Sequence, residues 1–277
     1  MVSLTRRVIR SEHPACVFLR RAYRALRAFS LPSPRWLVRP MLWGYLSIRT
    51  CYWVLKRVLI CEPLFKAYCT RYGRGLQTGV YVHWVQGSGE IILGDHVLVD
   101  GKCSFAFAYR YSDRPRLEIG DHTIISHGCS FTVGKQIRIG RNCMIAMDTW
   151  LADSSGHSTD PAARLAGLPA PDEKVRPITI GDNVWIGTRC VILPGSSIGE
   201  GSVISSMSVV RGEIPPYTVA AGNPARPVAT LTRPATAESG GCDEVKSRES
   251  EFKQPRRGAM VSTVDRCHRE HSAMDGR

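Results

Sequence analysis

From Ile180 onward an aliphatic side chain returns at every sixth position: Ile180, Ile186, Ile192, Ile198, Ile204 and Val210. Glycine follows three of them, at Gly181, Gly187 and Gly199. The same phase runs upstream through Ile139, Ile145 and Leu151, through Ile119, Ile125 and Phe131, and through Leu93, Val99 and Phe105. A strand alternates with period two and a helix recurs near 3.6, so a strict six fits neither alone. It fits an internal repeat in which each hexad is one side of a three-sided solenoid. Each side is a short strand whose aliphatic residue points into a narrow core, and small or turn-forming residues make the corners. Stacked coils then pair their backbones with the coil above and bury one apolar column. The spacing predicts an all-β solenoid over residues 76–230.

Two stretches break the hexads. The first is Ala106–Arg116 and ends in Ser112-Asp-Arg-Pro115. The second is longer, from about Ser154 to Pro177. Solenoid insertions leave through a corner and gather on one face, often the binding face.

Ile180-Gly-Asp-Asn-Val-Trp-Ile-Gly187 resembles the signature coil of the hexapeptide-repeat acyltransferases. Gly222-Asn-Pro-Ala-Arg226 resembles their closing motif, with Ile214-Pro-Pro-Tyr217 at the expected place between. The resemblance covers about residues 75–230 and is strongest to the branch of maltose, galactoside and exopolysaccharide O-acetyltransferases. It implies a left-handed parallel β-helix, a homotrimer and acetyl-CoA as co-substrate, with no metal. The stretch Asp153-Ser-Ser-Gly-His-Ser-Thr-Asp160, then Arg164, resembles the family loop in which a His precedes a turn, acids and an Arg.

Acyl transfer to a hydroxyl needs a base within hydrogen-bond reach, with a pKa near working pH, which suits histidine. By resemblance His157 is that base, and no covalent enzyme intermediate is needed. A second group usually fixes the tautomer of a catalytic imidazole. Asp153 and Asp160 are the near-sequence candidates, and a backbone carbonyl is the alternative. Arg164 is a further candidate in the loop, and Asp148 lies in the coil that borders the acceptor pocket in the resembling enzymes. For Asp153, Asp160 and Arg164 the competing role is loop-internal salt bridging or Asx-turn capping. Trp185 walls the groove or acceptor pocket by the same resemblance, or packs at a trimer contact. Small residues line the CoA groove of the family, and by position these are Thr188 and Ser206. Arg211 and Arg226 match positions near the nucleotide end, where cations suit CoA phosphates. Ser205-Ser-Met-Ser208 departs from the family's Gly-Ala-Gly-Ser, and Met207 is bulkier than glycine.

Charge divides the chain. The formal net charge is +13, yet residues 1–75 hold 15 Lys and Arg against Glu12 and Glu62 alone. Such asymmetry points to a membrane surface or a nucleic acid, and no nucleic-acid docking motif accompanies the basic residues. Between Pro40 and Pro63 the chain is rich in aromatic and aliphatic residues, and Arg49, Lys56 and Arg57 fall in one narrow arc of a helix. The longest uncharged run there, Met41–Ile48, is far short of the ~20 residues of a spanning helix. Residues 1–75 are therefore expected to form a basic amphipathic helical segment. Two roles stay open: lying on a bilayer with the protein peripheral at the cytoplasmic face, or capping the solenoid's open end. The ten cysteines are scattered without a CxxC pair, which favours reduced thiols over a disulfide framework. Residues 231–277 are poor in apolar residues and are expected to be disordered.

The same residues leave other functions open. A γ-class carbonic anhydrase shares the fold and holds zinc through three His. His122 and His127 have suitable spacing, with His83 or His96 as a third, but their hexad slots do not match. A non-catalytic trimeric scaffold is a second alternative. Among acceptors, a saccharide hydroxyl leads by resemblance, with envelope and exopolysaccharide precursors in that class, and an amine of an amino sugar or antibiotic is the runner-up.

Overall fold

The structure, a computed structural model, describes residues 11–233. The tail for which disorder was expected lies outside the described residues beyond Arg233. Between Gln77 and Ile214 the chain winds through three sheets in turn, so each aliphatic hexad position returns to the same sheet after three sides. Sheet I stacks Gln77–Thr78, Leu98–Val99, Ile124–Ile125, Met144–Ile145, Trp185–Ile186, Val203–Ile204 and Thr218–Gly222 in parallel, and an antiparallel strand, Ala225–Thr230, closes it. Sheet II stacks Trp84–Gln86, Ser104–Phe107, Ser130–Val133, Trp150–Ala152, Val191–Ile192 and Val209–Val210. Sheet III stacks Glu90–Leu93, Arg116–Ile119, Gln136–Ile139, Ile178–Ile180, Ser197–Ile198 and Glu213–Ile214. This is the parallel β-helix that the six-residue phase predicts.

Register keeps like over like. Ile139 pairs with Ile180 and Ile180 with Ile198, while Ile145 pairs with Ile186 and Ile186 with Ile204. All of these side chains are buried in one column. Phe105 and Phe131 stack within it at 5.2 Å, and Cys103, Cys129, Cys143 and Cys190 fill further inward slots as free thiols.

The recurring Gly-Asp pair has a physical cause at the corner between sheets III and I. Asp95 Oδ1 accepts the Arg74 N–H at 2.7 Å, Asp121 Oδ1 the Asp95 N–H at 2.7 Å, and Asp182 Oδ1 the Arg141 N–H at 2.8 Å. Each carboxylate thus satisfies a backbone donor of the coil before it. A Cβ on Gly94 or Gly140 would fall on the carboxylate of Asp121 or Asp182, so that neighbour must be glycine.

Among the described residues three helices precede the coils: α1 (Pro14–Ala28), α2 (Arg35–Lys56) and, after a wider five-residue turn at Arg57–Cys61, α3 (Glu62–Tyr68). Capping of the core falls to the last turn and α3. Cys61 and Phe65 are buried, and Phe65 lies 5.5 Å from Phe105 and 4.5 Å from His83. No residue of α1 or α2 is buried.

His83 gives this end of the core a pH response. Its Nδ1 accepts the Cys103 N–H at 3.2 Å, which requires the neutral ring, and its Nε2 is buried with no partner among the described residues. Burial lowers its pKa from the usual 6.5 to about 4, opposed by the charge of Asp100. The folded state holds a neutral ring where the unfolded chain holds a cation, so His83 adds full stability above pH 6.5. That contribution falls as pH drops from 6.5 toward 4, by roughly 3 kcal/mol in all. Thermal unfolding of the wild type should show this acid slope, and His83→Leu should flatten it across that window. Parallel pH curves for the two proteins would show that His83 is not the group responsible.

Candidate functional site

Both interruptions leave the solenoid at one corner, between sheets II and III. The first departs after Phe107 and rejoins at Arg116, and the second departs after Ala152 and rejoins at Ile178. The longer loop is closed at its base, where the Arg176 N–H donates to the Asp153 carbonyl at 3.0 Å. Its far half is tied down by Lys135 Nζ, 2.7 Å from an Asp172 carboxylate oxygen, and by buried Val175 and Ala170. A Cβ on Gly134 would meet Val175 at 2.8 Å, Tyr111 at 3.1 Å and Asp153 at 3.2 Å, so a glycine at this turn lets the two loops and the coil close up.

His157 rides on this anchored loop. Its backbone bridges that of Pro169, and its carbonyl accepts the Ser155 hydroxyl at 3.1 Å. The imidazole itself is exposed and makes no hydrogen bond among the described residues. A ring so placed is held by its backbone while both nitrogens stay open to a substrate.

The acids expected to orient it do other work. Asp153 is fully buried, and its two oxygens accept the N–H groups of Gly134, Lys135 and Gln136 at 2.5, 2.7 and 2.8 Å. Burial pushes its carboxyl above the usual range, and those three donors oppose the push. Asp160 caps α4 (Pro161–Leu165), accepting the Ala163 N–H at 2.8 Å. Arg164 turns back on the same loop and donates to the carbonyls of Ser158 at 3.1 Å and Thr159 at 3.4 Å. All three build the loop, and none bonds to His157. A carboxylate at a helix N-cap, or at an insertion's first position, has unpaired backbone donors beside it, and those donors claim it first.

Of the remaining candidates, Asp148, Thr188 and Ser206 sit at another corner, between sheets I and II. Asp148, Arg189 and Met207 occupy it in three coils, each in the left-handed backbone region, with φ of 58°, 57° and 63°. Arg189 Nε approaches Asp148 Oδ2 at 3.6 Å on the surface. Thr188 and Ser206 stack beside them, with the Thr188 N–H donating to Ser206 Oγ at 3.2 Å. Trp185 points outward from sheet I between Met144 and Val203 and is 53% exposed. Arg211 follows the last strand of sheet II and Arg226 lies in the closing hairpin, both exposed. Within one chain, a full side of the solenoid separates this corner from the one that carries His157.

Two further residues stand near the loop, outside the sequence candidates. Trp150, the outward neighbour of core Leu151, stands on sheet II just before the loop and donates through Nε1 to Thr132 Oγ1 at 3.2 Å. Tyr111, from the shorter insertion, has a buried hydroxyl with no partner among the described residues. The slot before each inward residue points out, so Trp150 could have been found from phase alone, whereas Tyr111 lies where the repeat is silent. His96 and His122 stack at 5.1 Å in left-handed corner positions. Among the described residues no group of three or more His, Cys, Asp or Glu is placed to hold a metal ion.

The family model of the bacterial transferase hexapeptide (six repeats) matches residues 177–212, the coils that carry Trp185, Thr188 and Ser206. A candidate acetyltransferase of Schizosaccharomyces pombe is 46% identical over 92 residues, 33% of this chain and 42% of that protein. The chain thus spans less than half the length of that curated relative. A hexapeptide-repeat containing acetyltransferase of Vibrio cholerae is 30% identical, over 58% of this chain and 76% of that one, with a TM-score of 0.40. A mutant of an N-acyltransferase from Bacillus cereus, solved with dTDP and coenzyme A, has the same fold at 20% identity. Its TM-score is 0.50, over 69% of this chain and 94% of that one. The chain belongs to the hexapeptide-repeat transferases.

Proposed function

We propose that the protein is an acetyl-CoA-dependent O-acetyltransferase acting on a saccharide hydroxyl, with His157 as general base. The observation that carries this is the placement of His157. It is an unpaired, exposed imidazole on a loop fastened at both ends, at the corner where both insertions gather. A ring nitrogen of His157 takes the acceptor's proton as its oxygen attacks the thioester carbonyl. The tetrahedral adduct then expels the CoA thiolate, which recovers the proton from the imidazolium.

The site is completed by a second copy in a homotrimer. Sheet III presents an ionic ladder, with Arg116 2.8 Å from Glu90 and 3.2 Å from Glu118, as suits a face in water. Sheets I and II present Met144, Trp185, Trp84 and Trp150 outward, as suits faces that pack. Packing them brings the His157 loop of one copy toward the Thr188 and Ser206 corner of the next, which supports a pantetheine groove between copies. Arg211 and Arg226 then stand as cations for the CoA phosphates.

Full-length protein incubated with acetyl-CoA and free or lipid-linked sugars should release CoA only with acceptor and yield a singly acetylated product by mass spectrometry. Mild alkali should remove the group. A product that survives alkali is an amide and would move the assignment to amine acceptors. No acceptor-dependent CoA release would leave the scaffold reading standing.

A further inference from the structure

We infer that α1 and α2 form a docking surface for an anionic lipid bilayer, lying flat on it with their apolar arcs turned away from the β-helix. This is independent of the acyl-transfer reading. At about 100° per residue, Arg35, Arg39, Arg49 and Lys56 of α2 share an arc of about 100°. Trp36, Met41, Trp43, Ile48 and Leu55 lie outside it. The residues of α2 with reduced exposure are Leu46, Arg49 and Lys56, which lie on the basic side. Lys56 Nζ sits 5.6 Å from the Tyr81 ring at the start of the coils, and the Arg49 guanidinium lies 4.5 Å from the Trp53 ring. The apolar side is left bare, with Trp36 77% and Ile48 74% exposed.

A helix that caps a core does the reverse: it turns its apolar arc inward. In this protein α3 fills that role, through Phe65. In α1 the segregation is similar. Arg20, Arg21, Arg24 and Arg27 share one arc, and Phe18, Leu19, Ala22 and Leu26 share another, with Leu26 74% exposed. An uncovered apolar surface of this extent calls for a partner.

Charge selects among partners. Nine Lys and Arg and no acid lie between Glu12 and Glu62. A second copy of the segment would bring the same positive charge against itself, whereas lipid phosphates neutralise it. Tryptophan and tyrosine recur along α2 outside the basic arc, at Trp36, Trp43, Tyr45 and Tyr52, and such rings favour the headgroup level. No helix among the described residues is long and apolar enough to cross a membrane, which leaves the in-plane arrangement.

The test is co-sedimentation of the full chain with phosphatidylcholine vesicles, alone or with phosphatidylserine. The phosphatidylserine vesicles should bind at least about tenfold more tightly, and added salt should weaken that binding. The double variant Arg24→Glu/Arg27→Glu should lose about tenfold or more of the anionic preference. Trp36→Ser/Trp43→Ser should release the protein from both vesicle types. These side chains are exposed, so thermal unfolding of the β-helix should be unchanged and serves as the folding control. Failure of the wild type to bind, or equal binding by the wild type and both variants, would overturn the proposal. So would a Trp36→Ser/Trp43→Ser variant that altered the oligomeric state without changing vesicle binding, since a second copy would then be the occupant.

Discussion

Replacing His157 with alanine should lower kcat about 10²- to 10⁴-fold, the usual worth of a general base. Acetyl-CoA affinity should stay near the wild-type value, because the ring serves the acceptor's proton and the groove at Thr188 and Ser206 holds the CoA. Stability should also be unchanged, because the exposed imidazole makes no hydrogen bond to lose. This separates a chemical effect from a folding effect in one variant. His157→Gln should behave alike, since an amide can hydrogen-bond an acceptor hydroxyl but cannot take its proton. Near-wild-type turnover by either variant, with an acceptor that the wild type acetylates, would show that another group is the base.

The second large effect belongs to a residue that takes no part in proton transfer. Asp153→Ala should strand three backbone donors, those of Gly134, Lys135 and Gln136, and cost about 3 kcal/mol. The loss should be local, because the carboxylate holds the loop's first residue while the core column does not depend on it. Trypsin should then cut at Arg164, which the wild type holds against the Ser158 and Thr159 carbonyls, and turnover should fall with the loop's order. Asp153→Asn should be intermediate, since its amide retains one acceptor oxygen and turns an NH2 toward the remaining donors. Resistance at Arg164 in the alanine variant would mean that the loop stands without this anchor.

The two cases mark where sequence reasoning reached and where it stopped. The inward column from Leu93 to Val210 is set by burial at a fixed period, a property each residue carries wherever its neighbours are. So the coil path and the corner glycines could be read directly. The acids of the loop carry no such mark. Whether Asp153 faces an imidazole or a turn depends on which donors come near it, and those belong to residues 134–136, a coil earlier. For Asp160 the capping role was one of two legible alternatives, and Pro161 with the short helical stretch after it decides for the cap. The outward turn of α2 was also hidden. A helical wheel shows that two faces exist but not which one meets the coils, and that choice is fixed by Lys56 over Tyr81.

The shared corner of the two insertions bears on how such a protein can diversify. The second loop departs beside Thr132 and returns in register with Ile137, and the Arg176 to Asp153 bond closes its stem. The stacked coils therefore meet the loop at this stem and at the anchors of its far half, Asp172 on Lys135 and Val175 beside Gly134. Lengthening a closed loop costs little, about 0.6 kcal/mol for each doubling. Exchange of the stretch between residues 159 and 168 alters what stands around His157 while leaving the loop's anchors and the column of isoleucines undisturbed. Acceptor choice and scaffold stability are thus separable traits in this chain, open to change one at a time.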